Sequence, residues 1–154
     1  MFENINISII GIVYLLMLFI PNILWSKHLP HGYDSSDENK VLLMLERVGQ
    51  VFVSVFAVVS FQPVSFQIDV CLILSCIAML FYEGYWINYF KSSQELSDFY
   101  ASFLKIPLAG ATLPIFAFLC LGIYEHHVFL IFSTILLGIG HIGLHYEHFQ
   151  KLKA

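Results

Sequence analysis

The stretch VFLIFSTILLGIGHIGLHYEHFQKLK, Val128–Lys153, decides how the chain is read. From Val128 to Tyr146 it is apolar enough and long enough to cross a bilayer, which takes about 20 residues. It then ends on Lys151 and Lys153. Three histidines, His141, His145 and His148, recur at helical spacing near that end. A membrane span with titratable rings on one stripe asks what those rings meet, and the rest of the chain supplies candidates.

Four more runs have the same character: about 7–25, 41–61, 68–90 and 107–124. Hydrophobic residues make up 58% of the 154 positions and charged residues only 12%, with mean hydropathy +0.79. A soluble domain carries about 25% charged residues, so an integral membrane protein is expected. Nothing in Met1–Asn6 has the basic character of a signal peptide, so the first run is expected to remain as a span. Net charge is −4 with no basic stripe, which argues against nucleic acid as a partner.

Lysine positions fix the count. Lys27 and Lys40 lie between runs one and two, Lys91 and Lys105 between three and four, Lys151 and Lys153 after five. Five crossings put all six on one face, and an even number would divide them. By the positive-inside rule that face is cytoplasmic, with the N-terminus outside and the C-terminus inside. The expected fold is an all-α, five-transmembrane-helix bundle forming a single membrane domain over 1–154.

Between runs three and four, Leu96, Phe99, Tyr100, Phe103 and Leu104 follow helical spacing, which predicts a short amphipathic interfacial helix over about 93–104. Ser35 with Glu38, and Ser92 with Glu95, fit capping boxes. Pro21 and Pro114 should kink their helices. Gly140 and Gly143 should permit close helix approach. Tyr82, Tyr85 and Tyr89 share a face distinct from that of Glu83 and, with Trp86, fit an interfacial aromatic belt. Cys71, Cys76 and Cys120 read as small buried hydrophobes; a Cys71–Cys120 disulfide is a weaker alternative.

Charged groups within a bilayer are costly and usually face the bundle interior. Glu46, Arg47 and Gln50 stand in run two, Glu83 in run three, and His141 and His145 in run five, with Asn22 in run one. All fall in the half nearer the lysines, while the opposite halves read as almost purely apolar. We therefore expect a cytosol-facing polar pocket of Glu46, Arg47, Gln50, Glu83, His141 and His145. It would bind a small anionic or lipid-headgroup ligand, with Arg47 as anchor and Glu and His as proton partners. Proton-linked transport would need an oligomer, because no polar track reaches the other face.

Two alternatives accompany that expectation. His141 and His145 at i, i+4 could hold a divalent transition metal for a membrane enzyme acting on lipid, although no cofactor is the leading expectation. The chain could also be a non-catalytic accessory subunit, docked on another membrane protein or on its own copies. Membrane lipid is the expected partner. The plainest alternative is a structural ion pair between Arg47 and Glu46 or Glu83.

The segments ENKVLLMLERVGQ, YEGYWINYF and GIGHIGLHYEH resemble a group of small bacterial multi-pass membrane proteins. That resemblance implies five spans and no particular activity. The HxxxH pattern is also superficially similar to the haemolysin III/progestin-receptor-like membrane hydrolases. Those have more spans and metal ligands on other helices, which this chain lacks, so none of their site residues carries over.

Overall fold

The structure, a computed structural model, describes residues 5–61 and 66–153. Most of the short connection expected at 62–67 therefore lies outside the described residues. In chain order the elements are β1 (Asn6–Ile7), α1 (Ile9–Ser26), α2 (Lys40–Val58), β2 (Val59–Ser60), α3 (Val70–Lys91), α4 (Leu96–Phe99), α5 (Ala109–Tyr124) and α6 (Val128–Lys153). Among the described residues the fold is all-α apart from an antiparallel clip in which Asn6 pairs with Ser60 and Ile7 with Val59.

Helices α1, α2, α3 and α6 are long and apolar enough to cross a membrane; α5, with 16 residues, is shorter. At 1.5 Å per residue α5 spans about 24 Å, against a hydrocarbon core of about 30 Å. Its start is set by Leu108, a left-handed residue that follows Pro107 and prevents earlier helix. What α5 lacks in length it has in burial: Ala109, Ala111, Ala117, Phe118 and Leu121 are each at most 1% exposed. It packs against α3 on one side and α6 on the other, while α6 packs on α2 and α1 leans on α2 and α3. Outside this core, Ile9, Ile20, Val51, Leu80 and Phe132 are all more than half exposed. An exterior so broadly apolar suits hydrocarbon rather than water.

Small residues set the spacing of α2 and α6. A Cβ on Gly140 would fall 2.3 Å from the backbone nitrogen of Glu46, and one on Gly49 would fall 2.5 Å from that of Leu137. The two backbones are in contact, as small residues allow. At the other end, Gly11 of α1 lies directly against the Ala57 carbonyl, beside the β1–β2 clip.

Several local expectations are corrected. The N-cap of α2 is Asn39, whose side chain accepts from the backbone nitrogens of Val41 and Leu42. Glu38 is thereby freed from the expected capping box to pair elsewhere. The interfacial helix is only Leu96–Phe99, opened by Asp98 accepting from the Glu95 backbone, while Ser92 closes α3. Left-handed residues at Gln94, Leu104 and Lys105 break the remainder into turns. Helix α6 runs past Tyr146 to Lys153, so His148 is helical too. The tyrosine stripe turns inward: Tyr82, Tyr85 and Tyr89 are 1%, 3% and 1% exposed. The three cysteines are free thiols, and Cys76 is exposed.

Candidate functional site

The helix ends bearing lysines gather at one end of the molecule. There Trp25 meets Tyr33 and Phe99, His148 meets Glu38, and Lys151 lies 3.5 Å from Asp37. Between the helices at this end is a cavity of about 290 Å³. Glu38, Glu46, Arg47, Gln50, His141, His145 and His148 supply its polar wall. Trp25, Tyr33, Tyr82, Trp86 and Phe99 supply an aromatic one. Leu18, Phe19, Pro114, Phe118 and Leu137 line it toward the middle of the molecule. A concave site whose apolar and aromatic lining is joined by convergent polar groups is a usual form of small-ligand site.

The geometry follows from the α2–α6 packing. Because Gly140 touches the Glu46 backbone, the next residue, His141, reaches the Glu46 side chain: Nδ1 to Oε1 is 2.5 Å. Two helical turns further along α6, His148 Nε2 stands 2.9 Å from Glu38 Oε1. Each carboxylate thus accepts from one imidazole. The His145 ring lies 4.4 Å from that of His141, centre to centre, and packs on Phe99 and Tyr100. Across the cavity, Asn22 Nδ2 donates to the Tyr82 hydroxyl over 2.7 Å and lines the same space.

Three polar side chains on this wall are uncommitted. Among the described residues, Arg47, Gln50 and His145 make no side-chain hydrogen bond or ion pair. Glu83 is placed differently from the other sequence candidates. It does not line the cavity, its Oε1 is buried without a partner, and it forms no ion pair with Arg47. The inward face of α3 belongs to Tyr82 and Trp86, and Glu83 lies about 100° round the helix from Tyr82. Among the described residues no group of three His, Cys, Asp or Glu is placed to hold a metal ion.

Sequence reasoning missed the aromatic wall and Glu38. The signal was present in both cases. Tyr82 and Trp86 are four apart, and Glu38 precedes a helix start that Asn39 caps better than Ser35.

It also missed a polar cluster at the opposite end, where an almost purely apolar half was expected. Ser8, Ser60, Glu125 and His127 are all buried there. The Ser8 hydroxyl donates to Glu125 Oε1 over 2.5 Å and accepts from the Gly11 backbone nitrogen. His127 Nδ1 accepts from Leu130 N at 3.3 Å, so its Nε2 carries the proton and donates to the Val59 carbonyl at 2.7 Å. Phe56, Phe61 and Phe129 surround that ring. These groups knit the ends of α1, α2 and α5 to the start of α6. Burial pushes the Glu125 carboxyl above the ordinary carboxylate range, with Ser8 and His127 pulling the other way.

No protein-family model, curated protein or solved structure matches the chain.

Proposed function

We propose that this chain is a five-crossing protein of a bacterial cytoplasmic membrane that binds a small anionic or lipid-headgroup ligand in the cavity at its lysine-bearing end. That end faces the cytosol, with the N-terminus outside. The observation that carries the proposal is the uncommitted trio of Arg47, Gln50 and His145 on one cavity wall.

A guanidinium in a membrane helix is costly unless something answers its charge. Glu46, its neighbour on α2, is already held by His141. An oxyanion offers Arg47 the bidentate geometry it is built for, and Gln50 and His145 add donors. The Glu46–His141 pair then fixes the wall and can hold a proton beside the ligand. Crossing by α5 is supported by its central burial and by the lysines: without it Lys151 and Lys153 would leave the face of Lys91 and Lys105.

The test is native mass spectrometry of the protein purified in mild detergent, with anionic phospholipid added. Arg47→Ala is expected to lower lipid retention about tenfold and Gln50→Ala less. Glu83→Gln, outside the cavity, should retain lipid like the parent. Unchanged retention in Arg47→Ala, or a loss in Glu83→Gln equal to it, overturns the proposal.

A further inference from the structure

We infer that the ligand carries a positive charge beside its negative one, because the aromatic corner of Trp25 and Tyr33 with Glu38 forms an ammonium subsite next to Arg47. This rests on the headgroup reading above and narrows its chemistry to a zwitterionic, amine-bearing group of the phosphoethanolamine kind.

Open acceptors come first. Two carboxylates, Glu38 and Glu46, line the cavity with one guanidinium and three imidazoles. Each carboxylate gives Oε1 to an imidazole, and neither has a hydrogen bond to Oε2 among the described residues. A purely anionic ligand would satisfy Arg47 and leave both Oε2 atoms without a donor. A ligand that also bears an ammonium supplies that donor.

Shape agrees. Trp25 and Tyr33 both line the cavity and meet at 86°, with ring centres 5.1 Å apart. Each is backed by another ring. Trp25 stacks on Phe99 at 4.8 Å and 16°, and Tyr33 on His148 at 5.5 Å and 26°. The corner is held in place before any ligand arrives. Indole and phenol rings beside a carboxylate are the side chains that attract ammonium groups. His148 links the two features, since it holds Glu38 and stacks on Tyr33.

Such a ligand could come from a zwitterionic phospholipid or from a free amino-phosphate, and one competition experiment separates them. The purified full chain is given equal amounts of phosphatidylethanolamine and phosphatidylglycerol, and bound lipid is counted by native mass spectrometry. Phosphatidylethanolamine is expected to dominate about tenfold. Tyr33→Leu and Glu38→Gln should cut its retention about fivefold and leave phosphatidylglycerol within twofold, while Arg47→Ala lowers both. Thermal unfolding of each variant confirms that it is folded. Displacement of bound lipid by millimolar phosphoethanolamine identifies the free compound as the source, and persistence of the lipid identifies the membrane. Equal retention of the two lipids, or equal losses of both in Tyr33→Leu and Glu38→Gln, overturns the ammonium subsite and leaves the anion site standing. Lipid retention indifferent to Arg47→Ala removes the anion site as well.

Discussion

His141 and Glu46 are 95 positions apart in the chain and 2.5 Å apart at their polar atoms. Their depth was legible in the sequence, since both fall a few turns from a lysine-bearing helix end. Their pairing was not, because it depends on how α2 and α6 are rotated against each other. A double-mutant cycle with Glu46→Gln and His141→Asn should show non-additivity of about 1–1.7 kcal/mol in unfolding free energy, in the upper range for polar pairs in membrane bundles. Additive losses would mean that the two side chains do not depend on each other. Glu125 yields a prediction of a different kind. Its carboxyl is raised above the ordinary range by burial, so the folded chain keeps a proton that the unfolded chain releases near pH 4.3. With more protons bound in the native state, the Glu125 contribution to stability falls as pH rises through that window. Glu125→Gln removes the titration. The melting temperature of this variant should therefore gain on the parent between pH 4 and pH 7, and parallel profiles would count against the assignment. Glu125 escaped notice in the sequence because a three-residue connection between apolar runs reads as exposed. Here His126 takes a left-handed turn that leaves Glu125 at 6% exposure.

Helix interiors were legible because apolar composition over 16–26 residues is a local property. Helix ends were less so. Asn39 rather than Ser35 caps α2, and a predicted helix over 93–104, with left-handed residues at Gln94 and Leu104, is reduced to Leu96–Phe99. The pairing of α2 with α6 is where one substitution should do most damage. Gly140→Val places branched carbons where the Glu46 backbone runs, and backbone cannot swing aside. A loss on the order of 3 kcal/mol is expected, with release of the Glu46–His141 contact. Gly143→Ala meets only the end of the Leu42 side chain, at 3.0 Å, and should cost under about 1 kcal/mol. Thermal unfolding of the two variants checks the contrast, and equal losses would refute the packing described.

For the whole molecule, the decisive measurement is which ends share a side. Ser93 lies between α3 and α5, and Lys153 ends α6. If α5 crosses the membrane, cysteines at these two positions react with an impermeant thiol reagent from the same face; if it does not, they react from opposite faces. The test is made in inverted and right-side-out vesicles, with the native cysteines replaced by serine. The expected result is labelling of both from the cytoplasmic side. Composition and the spacing of lysines were enough to specify an all-α chain with long apolar helices and a polar layer at the lysine-bearing end, but not the second polar cluster around Glu125 and His127. Those features depend on runs of neighbouring residues, whose transfer free energy is set without reference to the rest of the fold. Which face of each helix turns inward was settled only in three dimensions. Tyr82 and Trp86 face the cavity while Glu83 stands outside it, although all three lie within one and a half turns of α3. That choice belongs to contacts between distant segments, such as Gly140 on Glu46, Gly11 on Ala57 and Tyr85 on Gly110. A helix's own sequence fixes the angles between its side chains, but close packing against its neighbours fixes its rotation, and so determines which polar groups meet.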